Sequence, residues 1–422
     1  MSNNDYILNL LNFKDSNIYI SNNIQEKIIK NKNYKVIEGF LTYTPQYCPC
    51  CGIINKSTND IIKWGYRKNC KIKIPKISNC LSLLILHKQR FYCKHCHNTF
   101  VAETNIIDRN KNISNNIELQ INLELMHKQS EKDIAKRLDV SVSKIDRNLN
   151  KIASHTILRH EHLPINMNWD EFKATKDTTG KMAFIIVDNK SGNIFDIQDS
   201  RKSVDLEKYF RRYSKRDRDK VKLISTDFYS GYIFLAKKLF KNADIVIDRF
   251  HIITQAYVAL NSARVKLCTK NNPNYNKLKK LWKLIVKNEN DLSEKKVYSK
   301  LFHKEISQKE MVTYMINTDD TLKATYQCYQ GIINSIKEKD FIKFKNIVTH
   351  PNKNISSKMK KVLTLYKNNI TYIHNSFKYD INNGIIEGTN NLIKSIKRIA
   401  FGYRKYDHFI ARIFLIKGII KE

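Results

Sequence analysis

The chain has 422 residues, 42% of them hydrophobic, enough for two or three domains with substantial cores. Its 75 Lys and Arg face 40 Asp and Glu, a net charge of +35 spread along the whole chain, which fits a polyanionic partner, nucleic acid first. Met1 to Asn17 lacks a signal-peptide pattern, and the run Leu81 to Leu86 falls far short of the ~18 residues a membrane span needs, so a cytoplasmic, nucleoid-associated protein without membrane contact is expected.

Residues 1–45 read as short mixed helix and strand, with a turn-rich stretch around Ser21 to Asn23. Residues 46–104 carry seven of the nine cysteines. Cys48-Pro-Cys-Cys51 and Cys93-Lys-His-Cys96 are two C-x-x-C knuckles separated by 41 residues, with strand-like runs at Lys71–Ile77 and Leu81–Gln89 between them. Each knuckle can aim two thiolates at one ion, so Cys48, Cys51, Cys93 and Cys96 are expected to hold a structural Zn²⁺ in a zinc ribbon. Cys50 is a rival for a place in the set, and His87, His95 and His97 are lesser candidates. Cys70 and Cys80 read as small core residues.

Residues 112–160 are expected to form a helix-turn-helix DNA-binding domain. Apolar residues recur at helical spacing through Ile117, Ile121 and Leu125, then Ile134 and Leu138. Ser130-Glu-Lys-Asp133 has the form of a capping box, Asp139-Val-Ser141 reads as the turn, and Ser141 caps a second helix from Val142 to about Ile152. In that helix Val142, Ile145 and Leu149 are expected inside. Ser143, Lys144, Arg147, Asn148 and Lys151 are expected outside, suited to base edges and phosphates.

From residue 165 the pattern changes to strands: Ile165–Phe172, Met182–Val187 and Ile194–Ile197, with a hairpin at Asn189 to Gly192. A helix (Val204–Tyr213), a strand (Val221–Ser225), a helix (Gly231–Phe240), a strand (Ile245–Ile247) and a helix from Phe250 follow. That order is the order of an RNase H-like α/β domain, placed at 165–270. Residues 271–375 are Lys-rich and read as an all-helical insertion without strands. Residues 376–422 read as the C-terminal helical part of the catalytic core, the last helix beginning near Gly384 to Glu387. The fold class is therefore multidomain α/β.

Phosphodiester chemistry on such a sheet needs carboxylates around two Mg²⁺ (or Mn²⁺) ions about 3.5–4 Å apart, because hard ions take oxygen ligands. Asp170 lies in the first strand, and alternation sets Asp170 and Glu171 on opposite faces, with Asp170 chosen for the site. Asp227 follows the fourth strand at the sheet's carboxyl edge, a usual place for α/β active sites. Glu387 leads a helical stripe of Glu387, Asn391, Lys394 and Arg398, a ligand followed by an amide and two cations suited to a DNA backbone. Asp248-Arg-Phe-His251 is a fourth polar cluster: Asp248 is expected as a supporting or capping group, or as a substitute for Glu387, with Arg249 and His251 near phosphate.

These residues resemble the DDE-type bacterial insertion-sequence transposases of the ISL-three family over nearly the whole chain. The carriers are the two knuckles, Asp170-Glu-Phe172, Ser225-Thr-Asp227 with Tyr229, Asp248-Arg-Phe-His251, and the run Asn383-Gly-Ile-Ile-Glu387-Gly-x-Asn-Asn-x-Ile-Lys394-x-Ile-Lys-Arg398, then Gly402-Tyr-Arg404 and Phe409. The resemblance implies that Asp170, Asp227 and Glu387 are the catalytic triad, that element ends are cut and rejoined with Mg²⁺, and that terminal inverted repeats and target DNA are bound. Joining two ends implies at least a homodimer on DNA. Trp169 stands where a smaller aliphatic residue is expected. The alternatives are a non-catalytic zinc-ribbon and helix-turn-helix regulator descended from such an element, and a structure-selective nuclease.

Overall fold

A computed structural model describes residues 3–56, 59–155, 158, 160–178, 180–380 and 384–420. The chain divides into two compact units, Met1–Ile157 with Lys394–Glu422, and Leu158–Ile393.

The first unit begins with α1 (Asn3–Leu10), followed by β1 (Ile18–Ile29), β2 (Lys32–Leu41), β3 (Ile61–Ile77), β4 (Cys80–Cys93) and β5 (Thr99–Val101). The sheet order is β1-β2-β4-β3, with β5 also pairing β4. The expected turn at Ser21 to Asn23 is instead continuous strand: β1 runs through it, and only a register shift between Ile20 and Ile24 marks the Asn-rich stretch. A bulge absorbs the two extra residues, three opposing one, without ending the pairing. Ile18, Ile37, Leu84, Leu86 and Phe91 bury one core beneath the sheet.

Helices α2 (Asn115–Leu125), α3 (Glu131–Leu138) and α4 (Val142–His155) complete the amino-terminal part of this unit. Ser130 Oγ accepts from Asp133 N at 3.1 Å, and Ser141 Oγ accepts from Lys144 N at 3.2 Å, so both caps form where the sequence places them. Between the two helices Asp139 adopts the left-handed region (φ 52°). Its carboxylate receives Lys32, Lys73 Nζ at 2.7 Å and Tyr34 OH at 2.6 Å. These three donors come from β2 and β3 and tie the turn to the sheet. Ile117, Ile121, Leu125, Ile134, Ala135, Ile145 and Leu149 form the helical core.

The division into units falls within α16 (Gly384–Ile399), and α17 (Tyr406–Ile416) belongs to the first unit, a correction to the expectation that residues 376–422 all serve the catalytic core. The reason is packing: Ala411 and Leu415 join the core of α2 to α4. Arg412, 1% exposed, donates to the carbonyls of Leu125 (2.5 Å), His127 (3.2 Å) and Gln129 (2.8 Å) and so closes the carboxyl end of α2.

The second unit carries β6 (Asn166–Lys173), β7 (Met182–Asp188), β8 (Ile194–Gln198), α5 (Ser203–Phe210), α6 (Lys215–Asp219), β9 (Leu223–Thr226), α7 (Ser230–Leu239), β10 (Asp244–Ile247) and α8 (Arg249–Leu267). Its sheet order is β10-β9-β6-β7-β8. β6-β7 and β7-β8 pair antiparallel, and β6-β9 and β9-β10 pair parallel. In β7, Ala183 to Val187 are all fully buried, as a strand covered on both faces requires. Trp169, 2% exposed, stacks on Phe210 with ring centroids 5.0 Å apart and meets Phe184, Tyr232 and Phe240 edge-on. The indole thus fills a space bounded by four aromatic rings, which explains a large residue where an aliphatic one was expected. Full burial of such a side chain stabilises by roughly 1.5–3 kcal/mol.

The chain continues with α9 (Tyr275–Lys280), α10 (Trp282–Val286), β11 (Val297–Ser299), β12 (Lys304–Ile306), α11 (Gln308–Ile316), α12 (Asp320–Lys337), α13 (Phe341–Thr349), α14 (Ser357–Asn368) and α15 (Ile370–Lys378). The short antiparallel pair β11-β12 corrects the expectation of a strand-free region. Three-residue strands lie below the length at which alternation can be read. Helix α15 seals the outer edge of β10, where Ser376 Oγ donates to Ile247 O (2.5 Å) and Asn375 Nδ2 donates to Ile245 O (2.8 Å).

Candidate functional site

The first candidate is the cysteine cluster. The β3-β4 hairpin sets Ile61 opposite Cys93 and so brings the second knuckle beside the first. The Sγ atoms of Cys48, Cys51, Cys93 and Cys96 all lie within 4.8 Å of one another. Cys48 and Cys96 are 3.7 Å apart and Cys51 and Cys93 3.8 Å. A tetrahedral ion with Zn–S of about 2.3 Å sets its sulfurs roughly 3.8 Å apart, so the four residues fit zinc. Both knuckles turn alike. Gly52 N donates to Cys48 O and His97 N to Cys93 O, each at 2.9 Å, and Gly52 (φ 76°) and His97 (φ 58°) both adopt the left-handed region.

Cys50 is exposed and outside this cluster. His97 is occupied by Tyr92 OH (2.8 Å), and His87 by Glu38 Oε1 (2.7 Å) while it stacks on Phe40. His95 is exposed and likewise outside the cluster. Burial opposes ionisation of the Cys48 thiol, but the backbone N–H groups of Cys51 and Cys50 outweigh it and bring the group down to about 7. At Cys48 that favours the thiolate a metal takes, whereas at Cys51 the Ile53 N–H lowers the group but burial and the neighbouring sulfurs outweigh it and push it up to about 12.

The second candidate is the aspartate pair of Asp170, within β6, and Asp227, just past the carboxyl end of β9. Asp170 Oδ1 accepts from Glu171 N at 2.7 Å, and its Oδ2 accepts from Asn390 Nδ2 of α16 at 2.6 Å. Asp227 Oδ1 accepts from Tyr229 N at 2.8 Å, capping the approach to α7. Burial pushes both carboxyls up. For Asp170 the charge of Asp227 adds to this, while Glu171 N–H, His251 and Asn390 oppose it. For Asp227 the nearby Glu171 adds, while Tyr229 N–H, His251 and Arg201 oppose. Two partly buried acids that act on each other, with hard oxygen donors, suit a divalent cation.

Glu171 has its own partners. Arg201 Nη1 donates to both its oxygens (2.9 and 2.8 Å), and Tyr232 OH donates at 3.1 Å. Glu387 is exposed on the first turn of α16. Among the described residues, the cysteines are the only group of three or more His, Cys, Asp or Glu close enough to share an ion. The structure therefore brings Asp170 and Asp227 together and leaves Glu387 outside their immediate cluster, one helical turn before Asn390.

Asn390 was missed by the sequence reading, which placed Asn391 beside Glu387 on the functional stripe. Asn391 is exposed with Glu387. The buried flank of α16 is instead Ile386, Thr389 and Ile393, and Asn390 borders it. A three-residue step turns a helix by roughly 300°, so either neighbour satisfied the spacing argument. Asn383, at the head of the quoted run, lies outside the described residues.

Asp248, 8% exposed, accepts from Phe250 N at 2.8 Å and caps α8. His251 stands near both aspartates. Arg249 closes the carboxyl end of α15 by donating to Ser376 O (2.8 and 2.5 Å) and Tyr379 O (3.1 Å).

The outer face of α4 differs from expectation. Ser143, Arg147 and Lys151 are not buried, but Lys144 and Asn148 are, at 6% and 3% exposure. Lys144 turns inward to pair with Glu118 of α2, while Asn148 Nδ2 donates to Asn122 Oδ1 at 3.1 Å. Val142, expected inside, is 43% exposed. Burial alone would raise the Glu118 carboxyl, but Lys144 and Lys111 hold it at about 2. A buried lysine is stable where a carboxylate neutralises it, and the sequence does not reveal that partner 26 positions away. Lys111, Lys144, Arg147, Asn148 and Lys151 line a cleft of about 380 Å³. Lys394 and Arg398 are exposed on α16.

A family model described as a transposase, the ISL-three group of the DDE type, matches residues 168–413. The match spans more than half of the chain, which belongs to this family of insertion-sequence transposases. A curated relative from Lactococcus lactis subsp. lactis, named an ATP-dependent protease, is 27% identical over 113 residues, 27% of this chain and 36% of the relative. The chain thus spans little more than a third of that relative's length. Among the described residues no helix is long and apolar enough to cross a membrane.

Proposed function

We propose that the chain binds the terminal inverted repeats of its own insertion sequence and catalyses metal-dependent strand cleavage and strand transfer. Asp170, Asp227 and Glu387 would hold two Mg²⁺ (or Mn²⁺) ions, and Asp248 and His251 would support the pair. The observation that carries this is the pair Asp170, within β6, and Asp227, just after the adjacent parallel strand β9, both pushed toward protonation by burial, with the charge of Asp227 acting on Asp170. The sheet order β10-β9-β6-β7-β8 supports an RNase H-like core.

Bound metal would supply charge neutralisation at the reacting phosphodiester. The carboxylates fix where it stands. Water attacks phosphorus at the element end and the strand's 3′-oxygen departs with a proton. That 3′-hydroxyl then attacks a target phosphodiester, forming one P–O bond and breaking another. Both are in-line displacements, so one site serves both.

The four cysteines would hold structural Zn²⁺ in a ribbon within residues 46–104. Helices α3 and α4, within 112–160, would act as a helix-turn-helix, with Ser143, Arg147 and Lys151 toward DNA and Lys144 and Asn148 supporting from behind. Lys394 and Arg398 would follow the backbone. Joining two ends calls for a homodimer or higher oligomer on DNA.

The test is Asp227→Asn. Cleavage of a supercoiled plasmid bearing the element ends in Mg²⁺ should fall at least ~100-fold while end binding persists. Retained cleavage would remove Asp227 from the site, and absence of cleavage by the wild-type chain would favour a non-catalytic regulator.

A further inference from the structure

Unpartnered buried polar atoms occur on residues close in sequence to the two aspartates and on α16, which contacts Asp170. Asn168 Nδ2, two residues before Asp170, and Thr226 Oγ1, next to Asp227, have no hydrogen-bond partner among the described residues. On α16, Thr389 Oγ1 and Asn390 Oδ1 share that condition. Asn390 is distinctive because its other amide atom binds one of the aspartates themselves: Nδ2 donates to Asp170 Oδ2 at 2.6 Å, across 220 positions of sequence. A planar amide holds its oxygen about 2.3 Å from its nitrogen. The orphan acceptor therefore stands beside the Asp170 carboxylate.

An apolar side chain would dock α16 as well and leave no acceptor unsatisfied, so packing alone does not account for an amide here. A hard divalent cation does, since such ions keep several waters that need acceptors. Helical spacing also sets Asn390 one turn beyond Glu387, about 4.5 Å further along the axis.

We propose that Asn390 is a positioning residue for the cation site. Its donor end orients the Asp170 carboxylate, its acceptor end receives a hydrogen bond from the cation's hydration shell, and together they hold the Glu387 turn at the aspartates. This rests on the reading of Asp170 and Asp227 as cation ligands.

The experiment uses the full chain as wild type, Asn390→Leu, Asn390→Asp and Asp170→Asn. Thermal midpoints are followed against Mn²⁺ and Mg²⁺, and plasmid cleavage against pH. Wild type should show a saturable cation-dependent rise that Asp170→Asn lacks. Asn390→Leu should need about tenfold more cation for half the rise, as loss of a supporting hydrogen bond typically costs. Its end binding should stay at the wild-type level. Asn390→Asp places a carboxyl beside Asp170 and should move the acid limb of the cleavage profile to higher pH.

A half-saturation for Asn390→Leu within twofold of wild type overturns the proposal. If that variant fails to fold, an unchanged midpoint and pH profile for Asn390→Asp overturns it. When wild type responds, Asp170→Asn does not, and both Asn390 variants behave as wild type, this proposal alone falls. When wild type itself shows no response, the assignment of the aspartates falls first and this with it.

Discussion

The cysteine cluster and the aspartate pair each join residues distant in sequence, but by different means. Two left-handed turns and one hairpin bring four sulfurs within 4.8 Å of one another. One aspartate stands on β6 and the other just after the neighbouring β9, and the third expected ligand sits on a helix that contacts Asp170 through an amide. Thiols can crowd while neutral. Carboxylates repel, and around this pair the chain itself supplies His251, with Arg201 acting on Asp227. A closed structural site can thus be finished by the fold, whereas an open site for hard cations relies on charge from its ligands.

The largest expected effect tests the finished site. Cys93→Ser should lower zinc content from one ion per chain to none by atomic absorption and expose the first unit to proteolysis, since structural zinc contributes on the order of 10 kcal/mol in small domains. Cys50→Ser should retain zinc, and loss in that variant would move the boundary of the cluster.

The open site should announce itself through pH. Folding raises the Asp170 and Asp227 pKa values, so the native state binds these protons more tightly than the unfolded chain. Their contribution therefore favours the native state at low pH and is lost as pH rises from the ordinary aspartate value of about 3.9 through the raised values. Chelated protein followed by thermal melts should show this fall, and Asp170→Asn should flatten it. A Mg²⁺-dependent rise in melting temperature should be larger at pH 7 than at pH 4; an equal rise at both would place the cation elsewhere.

The smaller effects concern α4. Lys144→Ala should cost stability, about 1–3 kcal/mol in urea titrations, because it removes the buried partner of Glu118. Arg147→Ala should leave stability alone and reduce the salt dependence of end binding by about one counterion. Reversal of these two outcomes would exchange the inner and outer faces assigned to the helix.

Much of the second unit's sheet was legible because each strand is a short apolar run bounded by turn residues, and the observed strands fall within two residues of those runs. The cysteine set was legible because C-x-x-C spacing is local. Side-chain direction on α4 was not, because Lys144 and Asn148 look like surface residues until Glu118 and Asn122 meet them from α2. Asn390 escaped for a related reason: helical spacing admits both it and Asn391, and only the position of β6 separates them. The destination of α17 was equally hidden, since its apolar run suits any core and Arg412 finds its three carbonyls only after α2 has ended.

Asp139 gives the first unit a property that neither its sheet nor its helices has separately. Burial would raise this carboxyl, but Lys32, Lys73 and Tyr34 hold it well below the usual range, so it stays charged and gripped throughout ordinary conditions. The bend between α3 and α4 cannot swivel without dragging β2 and β3 along. Sheet and helices therefore move together, like the two fixed jaws of a calliper set to one width.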